Sequence, residues 1–72
     1  MSNEQSMLIE SSVQIAWDYL ALAGEIEDGL SARRFLLRHV EMLFADGVRS
    51  RLLLSNRAIA AYQQLKRDRR AA

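Results

Sequence analysis

The segment SARRFLLRHVEMLFADG, residues 31–47, constrains the fold of this chain more than any other stretch. On a helical wheel, at about 100° per residue, its apolar side chains cover more than half of the circumference. They are Ala32, Phe35, Leu36, Val40, Met42, Leu43 and Phe44, with Leu37 at the margin. A narrow outward strip of Arg34, Arg38, Glu41 and Ala45 remains. Because a surface helix needs a much narrower apolar stripe, we expect this helix to be covered from two directions.

The rest of the chain also favours helices. Proline is absent, half of the residues are apolar, and long alternating runs are missing. Gly24 and Gly47 each follow an apolar helical pattern, at the position where a left-handed backbone ends a helix. We therefore predict one all-α domain over residues 1–72, with three antiparallel helices near residues 6–23, 30–46 and 49–67 in a bundle-like arrangement. Residues 1–5 are expected to fray and residues 68–72 to form a solvated basic tail.

The helix boundaries follow from capping residues. Asn3 or Ser6 can cap the first helix, and Asp28 or Ser31 the second. The third helix is less clear, because a continuous helix from near Arg49 places Leu53 among polar residues. The alternative is an irregular segment that ends where Ser55 caps a shorter helix. We favour the continuous helix.

A second chain is the expected source of extra stability. With 72 residues, this domain buries only about 60% of the surface that its unfolded chain exposes. It has no cysteine for disulfides and one histidine, too few for a zinc site. The first helix carries two adjoining apolar rows, more than two neighbouring helices need. We predict a homodimer in which the first two helices share an apolar surface, with these interface candidates: Trp17, Leu20, Leu36, His39, Leu43 and Leu53.

Charge is divided unevenly along the chain. Residues 1–30 carry six acidic and no basic side chains, whereas residues 31–72 carry ten basic and three acidic ones, a net +7. One interpretation is that the basic third helix lies against the acidic first helix of the same or a second chain. The other is nucleic-acid binding, since Lys and Arg grip phosphates and Arg reads base edges. The candidate contacts are Arg49, Arg51, Arg57, Lys66 and Arg67.

Catalytic and metal-binding patterns are missing. No serine lies in a G-x-S-x-G sequence, and the acidic cluster Glu25, Glu27 and Asp28 is too short for a calcium loop. His39 points into the apolar arc of its helix, which favours a structural or interface role, with a pH-sensitive interface as the sharper alternative. We expect no enzyme activity, no cofactor and no metal.

The sequence leaves two functional hypotheses. One is a non-catalytic helical module that binds another protein, and the other is a DNA- or RNA-binding regulator that uses the basic third helix. No apolar run approaches the about 18 to 20 residues of a membrane span. We therefore expect a cytoplasmic protein that does not interact with membranes.

Overall fold

Three α-helices make up the computed structural model, which describes residues 3–71 and the side chains of residues 4–70. They are α1 (Asn3–Leu22), α2 (Gly29–Ala45) and α3 (Arg51–Ala71), and each packs against the other two. Residues 3–71 contain no strand. The predicted all-α, three-helix arrangement is confirmed.

Contacts between the helices define their directions. Arg51 at the start of α3 donates to Ser11 in the middle of α1, and Gln63 in the second half of α3 donates to Glu25, just after α1. Helices α1 and α3 therefore run parallel, with α2 antiparallel to both. Each connector turns the chain back on itself, as short helix–helix connections do.

The core is small and lies where the three helices meet. Its buried apolar residues are Val13, Ala16, Leu20, Ala32, Leu36, Val40, Leu54, Ala58 and Tyr62. Two serines, Ser12 and Ser55, are buried with them. Their hydroxyls donate to carbonyls one turn back, Ser12 to Leu8 O at 2.7 Å and Ser55 to Arg51 O at 2.9 Å. Because the helix itself satisfies each hydroxyl, these serines enter the core without an unpaired polar group.

Glycine ends the first two helices, as the sequence predicts. Gly24 has φ +71° and Gly47 has φ +104°. In each case the next amide donates to a carbonyl five residues back, Glu25 N to Leu20 O and Val48 N to Leu43 O. This is the Schellman arrangement, in which the left-handed residue is cheap only for glycine.

Asp28 caps α2. One carboxylate oxygen accepts hydrogen bonds from the amides of Leu30 and Ser31. The other accepts from the Ser31 hydroxyl at 2.9 Å. Of the two predicted caps, Asp28 takes the role, and Ser31 lies within the helix and supports it.

The third helix begins at Arg51, two residues later than predicted. Arg49 donates to the Phe44 carbonyl, and its guanidinium lies 3.6 Å from the centroid of the Phe44 ring, so it closes α2 instead of opening α3. Ser50 precedes α3, and its hydroxyl accepts from Leu53 N. The helix continues through Ser55, whose hydroxyl bonds within the helix, so the alternative with Ser55 as a cap is wrong.

The outer helix ends also differ from the predicted ones. Residues 3–5 belong to α1, and Ser6 lies inside that helix, where it is not a cap. The side chain of Asn3 lies outside the described residues, as do Met1, Ser2 and Ala72. Helix α3 extends to Ala71, with Arg69 and Arg70 in its last turn, where cations favour the helix dipole. Residues 68–70 are exposed, as expected of a solvated end.

Candidate binding groove between helices α2 and α3

An open groove of about 610 Å³ runs between α2 and the C-terminal half of α3. Its floor is apolar and aromatic, formed by Ala32, Phe35, His39, Met42, Tyr62 and Leu65. Its walls carry Arg34 and Arg38 on α2 and Arg69 on α3. Glu27, Asp28 and Ser31 close the end near the start of α2. We call this surface the α2/α3 groove.

The floor follows from the spacing of residues along α2. Ala32, Leu36 and Val40 form the buried row of this helix. Phe35, His39 and Met42 recur at three and four residues and lie beside that row, on the side towards α3. The row next to them is buried in the core, so these three side chains form the part of the groove floor that lies beside the core.

Stacked rings hold the two sides of the floor together. The Phe35 and His39 rings are 5.8 Å apart and nearly parallel, at 11°. The Phe35 ring also meets the Tyr62 ring edge to face, at 5.8 Å and 62°. Both are favoured geometries for aromatic pairs, so the floor is fixed across two helices.

The acidic groups at the end of the groove already have partners. Lys66 Nζ lies 3.7 Å from Glu27, and Asp28 is held by its cap bonds. Hydrogen bonds from Ser31, with a smaller contribution from the Leu30 amide and the Arg34 charge, lower the pKa of Asp28 below its ordinary value. By contrast, no hydrogen bond or ion pair engages Arg34, Arg38 or Arg69 within the described part of the chain, and all three are exposed.

A second groove, of about 620 Å³, lies between α1 and α2. It is lined by Met7, Glu10, Ser11, Val13, Gln14, Arg33 and Leu37. It contains no aromatic side chain, and one acidic residue balances one basic residue. We call it the α1/α2 groove.

The first helix also exposes an apolar row. Ile15, Tyr19 and Leu22 are all exposed, and Leu22 is 90% exposed. They recur at four and three residues, so they lie along one side of α1. Of the two apolar rows in the sequence, the one containing Val13, Ala16 and Leu20 enters the core, and this one does not.

The predicted interface residues are dispersed. Leu20 and Leu36 are 0% exposed inside the core of a single chain, so they present no side-chain surface to another chain. Their assignment to an interface is corrected on that ground: α3 completes the core around both. Leu43 is half-buried against the core, whereas Leu53 is 44% exposed on α3.

The other two interface candidates lie beside the grooves. His39 forms part of the floor of the α2/α3 groove. Trp17 is half-buried, close to Gly29, and the Arg33 guanidinium lies 5.8 Å from its ring centroid. The tryptophan is thus partly covered within its own chain.

Three of the five predicted nucleic-acid contacts are engaged inside the molecule. Arg49 closes α2, and Arg51 Nε donates to Ser11 Oγ at 2.8 Å. Lys66 Nζ donates to Glu25 O at 2.6 Å. Only Arg57 and Arg67 are exposed without such a bond in the described structure. Two of the five are therefore left without a partner in the described residues.

No group of three or more His, Cys, Asp or Glu residues among the described residues is placed to hold a metal ion. None of the three helices, within residues 3–71, is long and apolar enough to cross a bilayer. The cytoplasmic location stays a prediction.

Comparison of the chain with models of protein families, with curated proteins and with solved structures finds no match. The sequence did not single out Phe35, Met42, Tyr62 and Leu65 as a site. The available signal was the spacing of residues 35, 39 and 42 beside the core row of α2.

Proposed function

We propose that this chain is a non-catalytic protein-protein interaction module that binds a helical segment of another protein in the α2/α3 groove. The observation that carries the proposal is the open floor of aromatic and methionine side chains between two helices. Aromatic residues are enriched at binding hot spots, and methionine adapts to different apolar partners. Met42 is 53% exposed in this groove, so its side chain is available to a partner.

The dimensions of the floor support a helix as the occupant. From Ala32 to Met42 the floor extends about 15 Å along α2, at about 1.5 Å per residue. That length matches about three turns of a partner helix. An amphipathic helix in such a groove presents apolar residues at three- and four-residue spacing.

A titration with a synthetic helical peptide tests this proposal. The peptide has about three turns, an apolar stripe and uncharged Gln on its flanks, and binding is followed by NMR amide shifts. We expect the shifts to cluster at Phe35, His39, Met42, Tyr62 and Leu65. Met42→Glu should weaken binding because it places a charge on the floor.

Leu37→Glu is the matched control, because Leu37 is another partly exposed α2 residue, 38% exposed, but lines the α1/α2 groove. It should leave binding unchanged. Shifts confined to the α1/α2 groove, or no binding of any helical peptide to the α2/α3 groove, would contradict the proposal.

We also propose that two chains associate through apolar surface of the first two helices. The exposed row Ile15, Tyr19 and Leu22 supports this, because it leaves large apolar side chains in water. Tyr19→Lys should shift the sedimentation of the protein to a monomer at low micromolar concentration, whereas Gln14→Lys, also exposed on α1, should not. A folded wild-type monomer at that concentration would rule out the dimer.

Nucleic-acid binding is the second candidate function, favoured by the exposed side chains of Arg57 and Arg67. It predicts a steep loss of affinity for duplex DNA between low and moderate salt, because each neutralised phosphate releases counterions. Absence of retention on heparin or DNA at low salt removes this candidate.

A further inference from the structure

We infer that the α2/α3 groove selects an acidic amphipathic helix of another protein, whose carboxylates pair with Arg34, Arg38 and Arg69. The inference rests on the proposed function, because it names the chemistry of the helix that the groove would bind.

The three arginines lie on the two walls of the α2/α3 groove. Arg34 and Arg38 are one helical turn apart on the same wall, and residues at this spacing have Cβ atoms about 5–6 Å apart. Two carboxylates one turn apart on a partner helix can face both. Arg69 lies on the opposite wall, contributed by α3. The matching helix therefore has acidic residues on both flanks of its apolar stripe.

These arginines are available to pair with carboxylates of a partner, whereas the nearby acidic side chains already have partners within the chain. Glu27 lies beside Lys66, and Asp28 accepts the cap hydrogen bonds of α2. Arg34, Arg38 and Arg69 have no such partners in the described structure. Guanidinium groups bind carboxylates through two parallel hydrogen bonds, which favours acidic over neutral flanks.

A second copy of this chain fits the groove less well. The exposed row of α1 does include an acidic neighbour, since Asp18 lies between Ile15 and Tyr19 in sequence and beside them on the helix. Its other flank turns towards the bundle, where Ser12 and Ala16 are buried. Because acidic residues would be needed on both flanks, a helix from a different protein matches the two arginine walls better.

The test uses three synthetic helical peptides with the same apolar stripe and with all flanking positions occupied by Glu, by Gln or by Lys. Affinity for the full chain is measured by fluorescence anisotropy at low and moderate salt. We expect Glu flanks to bind about tenfold more tightly than Gln flanks at low salt, and Lys flanks to bind least, because rim charges contribute modestly. The difference should shrink as salt increases.

Charge reversal locates the effect. The double variant Arg34→Glu, Arg38→Glu should invert the order of the Glu and Lys peptides. Arg57→Glu is the control, because Arg57 is exposed on α3 but does not line the α2/α3 groove. It should preserve the order. Circular dichroism is used to check that each variant is folded, which we expect because the substituted positions are exposed.

The outcomes separate the inference from the proposed function. Equal binding of all three peptides in the α2/α3 groove overturns the acidic preference and leaves the interaction module intact. No binding of any peptide there overturns both. Tighter binding of a peptide of residues 4–22 than of the Glu peptide identifies a second copy as the occupant and overturns the inference. The last outcome comes from competition for the bound, labelled Glu peptide. If a DNA oligonucleotide displaces it at a lower concentration than unlabelled Glu peptide does, the groove binds polyanions and the inference is overturned as well.

Discussion

The two grooves on either side of α2 have nearly the same volume, about 610 and 620 Å³, but different chemistry. The α2/α3 groove has an aromatic floor and three arginines without partners in the described structure. The α1/α2 groove has Met7 and Leu37 on its lining, with Glu10 and Arg33 in balance. Helix α2 is common to both, so the difference comes from its flanks and its neighbours.

The neighbours come from oppositely charged halves of the chain. Helix α1 supplies Glu10 to one groove, whereas the C-terminal part of α3 supplies Arg69 to the other. The basic third helix does lie against the acidic first helix, as one interpretation of the sequence predicts. No ion pair joins the two helices among the described residues, however: a hydrogen bond links Arg51 to Ser11, and the one ion pair joins Lys66 to Glu27 in the connector. The uneven charge of the two halves therefore gives the two grooves different linings, and it contributes little to holding α1 and α3 together.

The largest effect is expected from a substitution that unfolds the chain and therefore removes both grooves. Leu20→Asp places a charge at a position that is 0% exposed, in the core against which both grooves are built. We expect loss of the folded state, since uncompensated burial of a charge destabilises by about 4–5 kcal/mol or more. Far-UV circular dichroism and urea unfolding measure it. Ala21→Asp, at the exposed neighbouring position, should remain folded, and a wild-type unfolding curve for Leu20→Asp would contradict the packing described for α1.

Leu43→Asp is a milder form of the same test. Leu43 is half-buried and packs against the core instead of forming its centre. We expect destabilisation, but less than for Leu20→Asp, because water reaches part of the side chain. Urea midpoints of the two variants, compared under the same conditions, check the order. The reverse order would mean that α2 contributes more than α1 to the shared core.

Much of the fold was predictable because its causes are local. The two glycines set the ends of α1 and α2, Asp28 caps α2 from the position just before it, and the strip containing Arg34 and Arg38 faces water. Each of these depends on residues within about one helical turn. The delayed start of α3 was not predicted, because Arg49 folds back onto the ring and the carbonyl of Phe44 at the end of α2 instead of entering the next helix, and the apolar pattern does not distinguish these two outcomes.

The candidate site was less predictable than the fold. The first helix carries two apolar rows, and its packing against α2 and α3 decides that Leu20 is buried while Tyr19 is exposed. The groove also needs Tyr62 beside Phe35, a pairing of residues distant in sequence. Periodicity predicts that each helix has an apolar side but does not predict which flanks remain open.

The next largest effect is expected when the stability contributed by the aromatic floor of the α2/α3 groove is compared with that contributed by Leu37 in the α1/α2 groove. Phe35→Ala removes a ring that stacks with His39 and meets Tyr62, so we expect a loss of about 2 kcal/mol, below the range of a fully buried Phe. Leu37→Ala in the α1/α2 groove should cost less than about 1 kcal/mol, because Leu37 is 38% exposed. Urea unfolding of both variants measures the difference. Equal losses would show that the aromatic floor adds no more to the core than the other groove does.

The smallest effect concerns the capped end of the α2/α3 groove, which has no counterpart in the α1/α2 groove. The pKa of Asp28 lies below its ordinary value of 3.8, chiefly through hydrogen bonds from Ser31, so the fold favours the ionised carboxylate. Its contribution to stability is therefore present above the ordinary pKa and is lost as the pH falls through the lowered one. Asp28→Ala should lower Tm by a nearly constant amount at neutral and mildly acidic pH. Below about pH 4 that difference should shrink, because protonation weakens the cap of the wild type.

Asp28→Asn separates the charge of the cap from its hydrogen bonds. Asparagine accepts the same amide hydrogen bonds at an N-cap but does not ionise, so this variant should retain much of the stability that Asp28→Ala loses. The Tm difference between Asp28→Asn and Asp28→Ala should vary less with pH than that between the wild type and Asp28→Ala. Thermal unfolding followed by circular dichroism at a series of pH values measures both differences. A wild-type advantage over Asp28→Ala that persists undiminished well below the ordinary pKa would mean that the ionised carboxylate does not stabilise this end of the groove.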